Sequence, residues 1–133
     1  MIRHPSLVQW EKKLKDVLDA LDDLLESKYG NQFRLHPARP KRGKTSNKAH
    51  DGLFDIVASF SMGTGSKHGK GYVVDVHMAT LDRIPKNILT EIEDVTLQYL
   101  RKELPKYFPG KNLQINQDGH IIKIHGDLSL GKL

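Results

Sequence analysis

The sequence predicts an α+β fold, a two-layer sandwich in which two helices cover one face of a four-stranded, mainly antiparallel sheet. Two observations predict this class. Apolar residues recur at helical spacing in two long segments and alternate with polar residues in shorter ones, and these segments follow the order αββαββ. Two helices on one face of such a sheet bury the apolar side of every element. With 133 residues, 38% of them hydrophobic, the chain is expected to form a single domain over residues 1–133.

The first predicted element is a helix over residues 6–29. Its apolar residues form one stripe at helical spacing: Leu7, Trp10, Leu14, Val17, Leu18, Leu21, Leu24 and Leu25. Gly30 is expected to end the helix, because glycine readily takes the left-handed conformation. The other face carries an acidic set: Asp16, Asp19, Asp22, Asp23 and Glu26. We expect this acidic face to be exposed to solvent.

The second predicted element is an antiparallel hairpin over residues 53–80. Apolar and polar residues alternate over residues 54–62 and again over residues 72–79, as in strands with one buried face. Because the two segments are adjacent in the chain, we expect them to pair. The loop between them, residues 63–71, which we call the glycine-rich loop, lacks the Gly-Lys-Ser/Thr sequence of a phosphate-binding P-loop.

A second helix is predicted over residues 85–104, followed by a hairpin over residues 112–125. Pro85 suits the first turn of a helix, where its missing N–H would have no partner in any case. Pro105 is expected to end the helix. In the hairpin, Asp118-Gly119 is typical of a type I′ turn between short strands.

The positive charge of the chain is concentrated between the first helix and the first hairpin, in residues 34–50, which we call the basic loop. It contains six Lys or Arg and no acid, whereas the rest of the chain has 15 Lys or Arg and 16 acids. The net charge of +5 therefore comes from this segment. Pro37 and Pro40 should prevent regular secondary structure within it.

The basic loop is the main candidate for a binding site. Together with the glycine-rich loop it offers cations that could bind an anionic ligand, either a phosphate-containing small molecule or nucleic acid. These candidate ligand-binding residues are Arg39, Lys41, Arg42, Lys44, Lys48, Lys67 and Lys70. Two alternatives stay open, a solvated loop that neutralises the acidic helix and a loop that takes part in catalysis. No aromatic residue lies within the loop, so stacking on single-stranded bases is not indicated.

The sheet face turned away from the helices is a second candidate site. Strand alternation directs a polar set to this face: Asp55, Asp75, His77, Lys123 and His125. Such a set suits acid–base chemistry or a hard metal. In an enzyme of this kind, His77 or His125 would be the base and Asp75 would orient it, while the basic loop would fold over a phosphorylated or carboxylated substrate.

The same face has two simpler interpretations. An antiparallel sheet with one face in water displays polar residues without any function. Alternatively, the apolar residues Val57, Val73 and Ile121 on this face indicate a covering partner, and a second copy of the chain would make a homodimer.

Composition excludes several classes of protein. With no Cys, the chain has no disulfide, zinc finger, iron–sulfur cluster or cysteine nucleophile. No apolar run reaches the roughly 18 residues of a membrane span, and the first residues have no apolar signal core, so we expect a cytoplasmic protein. The remaining histidines have no metal-ligand spacing and are expected to be polar surface: His4, His36, His50, His68 and His120. We therefore expect no metal or cofactor.

Overall fold

In the described parts of the chain, two α-helices and four β-strands follow one another in the predicted αββαββ order. The computed structural model describes residues 5–61 and 71–126. Its elements, in chain order, are α1 (Pro5–Tyr29), β1 (Phe54–Ser61), β2 (Gly71–Met78), α2 (Lys86–Tyr107), β3 (Leu113–Asp118) and β4 (Ile121–Gly126). A single turn of 3-10 helix, Lys48–His50, lies within the basic loop.

The four strands form one antiparallel sheet in the order β1-β2-β4-β3. β1 and β2 pair along their whole length, from Phe54 opposite Met78 to Ser61 opposite Gly71. β4 pairs with β2 over residues 72–74 of β2, and the second half of β2 has no partner on that side among the described residues. The helices pack against the sheet, with α1 on β1 and α2 on β3. This arrangement confirms the predicted two-layer α+β fold.

The two helices run antiparallel to each other. The ring of Trp10, near the start of α1, lies 4.1 Å from the ring of Phe108, which directly follows α2. At the other end, the Tyr29 hydroxyl donates a hydrogen bond to Glu91, near the start of α2. Burial and the adjacent Glu91 carboxylate raise the pKa of Tyr29 to about 12. The apolar stripes of both helices and the inner face of the sheet form one buried core.

The end of α2 differs from the prediction. Pro105 lies inside the helix, which continues to Tyr107. Leu104 and Phe108 are both buried, and the Phe108 N–H donates to the Leu104 carbonyl over 2.9 Å. Because a proline inside a helix removes only its own N–H and crowds one carbonyl, burial of these two neighbours is sufficient to hold the last turn.

Two predicted turns also form for reasons other than those expected. Gly30 follows α1 without a positive φ; the position excludes a side chain because a Cβ there would lie 2.5 Å from the Glu26 carbonyl oxygen. In the second hairpin, Asp118 pairs with Ile121, so the two loop residues are Gly119 and His120. Only Gly119 has a positive φ, of 64°, which is the pattern of a type II′ turn and not of type I′.

Candidate functional site

The basic loop is docked on the acidic face of α1. Arg42 makes ion pairs with Asp22 at 2.8 Å, with Asp23 at 2.7 Å and with Asp51 at 3.4 Å. Lys48 pairs with Asp23 at 2.6 Å. The expectation that the acidic face is solvated is therefore wrong for Asp22, which is only 2% exposed. The loop covers it because cations and carboxylates attract more strongly where water is excluded.

The pKa values of the two buried carboxylates that face Arg42 are shifted in opposite directions. Burial raises the pKa of Asp22 to about 7, and the nearby Arg42 offsets only part of this shift. Arg42 lies against Oδ1 of Asp22, but this oxygen accepts no hydrogen bond of good geometry. For Asp51, burial acts in the same sense, but hydrogen bonds from the backbone N–H and hydroxyl of Thr45, at 2.9 and 3.0 Å, bring its pKa below the usual value.

Arg39 holds the end of the basic loop to the start of β1. Its guanidinium donates to four backbone carbonyls: Ala49 at 2.7 Å, Asp51 at 3.2 Å, Gly52 at 3.0 Å and Phe54 at 2.9 Å. These carbonyl groups accept from Nε and Nη2 without neutralising the charge of the guanidinium. Within the described residues Arg39 forms no ion pair with a carboxylate, so it retains a positive charge at the base of the loop.

Arg39→Lys is expected to lower the free energy of unfolding by about 2 kcal/mol, measured by urea denaturation. Lysine keeps the charge but places its donors on one nitrogen, which cannot reach four carbonyls spread along residues 49–54. Lys41→Ala is the matched control, because this neighbouring side chain is exposed. A stability loss in Arg39→Lys no larger than that in Lys41→Ala would contradict the assigned role.

The start of the basic loop is fastened to the chain that follows β2. The His36 N–H donates to the Ala79 carbonyl over 2.8 Å, and the Thr80 hydroxyl donates to the Arg34 carbonyl. The Arg34 guanidinium forms two hydrogen bonds with Asp82, at 2.7 and 3.0 Å, and these hold the pKa of that carboxyl below its usual range. The loop is therefore ordered against the end of the first hairpin.

A cleft of about 300 Å³ opens between this part of the loop and the outer face of the sheet. Its lining consists of His36, Ala38, Arg39, Asp55, His77, Met78, Ala79 and Thr80. Asp55 and His77 are direct partners in the β1–β2 ladder, so their side chains are neighbours on the outer face. The cleft thus joins residues of both predicted candidate sites, the basic loop and the polar sheet face.

The tautomer of His36 follows from its hydrogen bond. Nδ1 accepts from the Ala38 N–H over 3.0 Å, so in the neutral imidazole the proton is on Nε2. This leaves Nε2–H as a donor for a ligand in the cleft. No pattern in the sequence pointed to His36, which was expected to be polar surface. Asp55 and His77 lie opposite each other because of the exact register of the first hairpin, which the sequence pattern does not specify.

The other predicted site residues lie elsewhere. Lys41 and Lys44 are exposed on the basic loop, and Lys67 and Lys70 are outside the described residues. Asp75 lies opposite Val57 in the β1–β2 ladder, two positions away from the Asp55–His77 pair. It lines a separate cavity of about 230 Å³ beside α2.

His125 is not brought close to His77. It is 8% exposed and its Nε2 lies 2.7 Å from the amide oxygen of Asn116. Its Cβ lies beside Gly71, which precedes His77 on β2 by six residues, or roughly 20 Å at about 3.3 Å per residue. The structure therefore separates the two predicted bases and pairs His77 with Asp55.

Residues 5–61 and 71–126 contain neither a metal-binding group of side chains nor a membrane-spanning helix. No three His, Asp or Glu side chains in these segments come together as a group that could hold a metal ion. Neither helix combines the length and the apolar character needed to cross a bilayer.

The fold and the cleft define a small two-layer α+β domain with a ligand-sized cleft at one corner of its sheet. Residues 5–126 match a family model described as "Uncharacterised protein", and the chain belongs to this family. A relative from Borreliella burgdorferi (strain ATCC 35210 / DSM 4680 / CIP 102532 / B31), described as "Uncharacterized protein", is 36% identical over 118 residues, which cover 89% of this chain and 92% of that protein. No solved structure matches the chain.

Proposed function

We propose that this protein binds a small anionic ligand in the cleft between the basic loop and the outer face of the sheet, and that it does so in the cytoplasm. The observation that carries the proposal is the meeting of Arg39 and His36 from the loop with Asp55 and His77 from the sheet. A volume of about 300 Å³ is at the lower end of the range for small-molecule sites.

Each lining residue suggests one feature of the ligand. Arg39 attracts an anionic group by its charge, while its Nε and Nη2 donors are used by backbone carbonyls. The Nε2–H of His36 can donate to an oxygen of that group, and a ring N–H of His77 can do the same. Asp55 accepts hydrogen bonds and repels a second negative charge. The favoured ligand therefore carries a phosphate or carboxylate next to a hydroxyl group.

Fewer cations of the basic loop can contact a ligand than its composition indicates. Arg42 and Lys48 are occupied by the carboxylates of α1, so their charges stabilise the loop and are not directed to a ligand. His36 is held by backbone hydrogen bonds, and Arg39 is fixed by its four carbonyls. A cleft whose walls are already ordered loses little conformational entropy when a ligand binds.

The probes for this proposal are glycerol 3-phosphate and inorganic phosphate, followed by amide chemical shifts in NMR titrations. Glycerol 3-phosphate is expected to shift the amides of Ala38 and Thr80. His36→Ala should weaken the binding of both probes about tenfold, the cost of one charge-assisted hydrogen bond. Asp55→Asn should weaken the binding of glycerol 3-phosphate, because the cleft loses an acceptor for the ligand's hydroxyl groups. The same substitution should strengthen the binding of inorganic phosphate, because it removes a repulsive negative charge.

His120→Ala is the matched control, because His120 pairs with Glu93 outside the cleft. This variant should bind both probes like the wild type. Shifts confined to the amides of Lys41 and Lys44 would place the anion on the exposed part of the loop and would contradict the cleft. The same holds if His36→Ala and His120→Ala titrate identically.

A further inference from the structure

We propose that one end of the helical layer is a second binding surface, which takes the phosphate backbone of double-stranded nucleic acid. We call this surface the basic helix end. It consists of Lys12 and Lys13 on α1 and of Arg101, Lys102 and Lys106 on α2. It is separate from the cleft, so it stands independently of the function proposed above.

The surface arises from opposite charge gradients in two antiparallel helices. In α1, the cations Lys12, Lys13 and Lys15 precede a run of acids over residues 16–26. In α2 the order is reversed, since acids lie within residues 91–94 and most cations within residues 101–106. The contacts between Trp10 and Phe108 and between Tyr29 and Glu91 place the two basic halves at the same end. The acidic halves meet at the other end.

The two ends differ in how far their charge is compensated. At the acidic end, Arg42 and Lys48 of the basic loop pair with Asp22 and Asp23. Two of the six cations of the basic loop are thus neutralised by carboxylates of α1. At the basic helix end, five cations lie near three acids of the described residues, Glu11, Asp16 and Glu103, so a net charge of about +2 remains.

The cations of the basic helix end are positioned without losing their charge. Lys12 and Lys102 are exposed and form no ion pair with another described residue. The Lys13 ammonium lies 5.8 Å from the centre of the Phe108 ring, and Arg101 Nε donates to the Ile115 carbonyl over 2.9 Å. Of the five, Lys106 pairs with a carboxylate, that of Glu103 at 2.8 Å. Four cations are therefore left to face an external anion.

The dimensions and the aromatic residues favour a duplex. Arg101 and Lys106 are separated by about 8 Å along α2, and neighbouring helix axes lie about 8–10 Å apart, so the patch faces several phosphates of a duplex with one charge per about 1.7 Å. The rings between the helices, Trp10 and Phe108, are each only 5% exposed. They cannot stack on unpaired bases or insert into a lipid surface, which leaves charge as the attraction.

The test compares two double variants with the same change in net charge. Lys12→Glu/Lys102→Glu alters the basic helix end, and Lys41→Glu/Lys44→Glu alters exposed lysines of the basic loop. Binding to short fluorescein-labelled DNA and RNA duplexes is measured by anisotropy over a range of salt concentrations. The first variant should bind at least tenfold more weakly, and its slope of log affinity against log salt should fall by about 2, at about 0.9 per lost phosphate contact. The second should keep the wild-type slope.

Lys12→Gln/Lys102→Gln removes the same contacts without new acids and should show the same change in slope, while melting temperatures check that each variant is folded. Binding to either duplex with this pattern supports the proposal, and the ratio of the two affinities identifies DNA or RNA as the source of the phosphates. Equal weakening in the two charge-reversal variants, tighter binding to a single strand, binding only to phosphatidylserine vesicles or no salt-dependent binding to either duplex would overturn it.

Discussion

Replacing Arg42 by alanine is expected to lower the free energy of unfolding by about 3 kcal/mol or more. The substitution leaves Asp22 and Asp51, whose side chains are each 2% exposed, without their common cation. It also removes the hydrogen bond to the Lys48 carbonyl, which holds the single 3-10 turn in the basic loop. The loss is measured by urea unfolding with the fluorescence of the single tryptophan, Trp10, above about pH 7, where Asp22 is ionised.

Two further variants make this prediction specific. Lys44→Ala removes an exposed cation from the same loop and should change stability by less than about 0.5 kcal/mol. Asp22→Asn should restore part of the stability of Arg42→Ala, because it removes one of the uncompensated charges. If the double variant is less stable than Arg42→Ala, the loop is held by contacts other than the carboxylates of α1.

The second large effect is a dependence of stability on pH that comes from Asp22. Its pKa is raised by burial from 3.8 to about 7, so between these values the folded protein binds a proton that the unfolded chain has lost. Stability should therefore fall as the pH rises through this window, by up to about 1.4 kcal/mol per pH unit. Arg42 reduces this effect but does not reverse it, since desolvation is the larger cause.

The measurement is a series of urea unfolding curves between about pH 4 and pH 8, taken for the wild type and for Asp22→Asn. The variant should lose the downward slope and be the more stable protein at the upper end. Asp51 and Asp23 have lowered pKa values, so their contribution is lost only below about pH 4 and does not overlap this window. A slope that persists unchanged in Asp22→Asn would show that another group is responsible.

The secondary structure could be predicted because its signals are local. Alternation over residues 54–62 marks β1 almost to the residue, and the apolar stripe defines α1 from its spacing alone. Pro105 misled because the rule for proline is also local, whereas the end of α2 is determined by burial of Leu104 and Phe108 in the core. Wherever the core outweighs a local preference, sequence spacing predicts the wrong boundary.

The candidate site could be predicted only in part, because its residues meet through long-range contacts. The basic loop and the acidic face of α1 were both visible in the sequence, but their pairing joins Arg42 to residues about twenty positions earlier. The sequence left open a loop that neutralises the acidic helix, and the ion pairs of Arg42 and Lys48 support this alternative for these two cations. Similarly, Asp75 was the obvious neighbour of His77 along the strand, whereas the ladder places Asp55 directly across from it.

Because α1 and α2 lie side by side in opposite directions, their macrodipoles oppose each other, and the field at either end of the helical layer comes mainly from side chains. Lys12 and Lys102 are exposed and form no ion pair within the described parts of the chain, so their charge can change with little cost to stability. Arg39 in the cleft is different, since its guanidinium also holds the backbone together through hydrogen bonds to carbonyls. Related sequences can therefore vary the strength of the helix-end surface freely, while a change in the chemistry of the cleft must also preserve the fold.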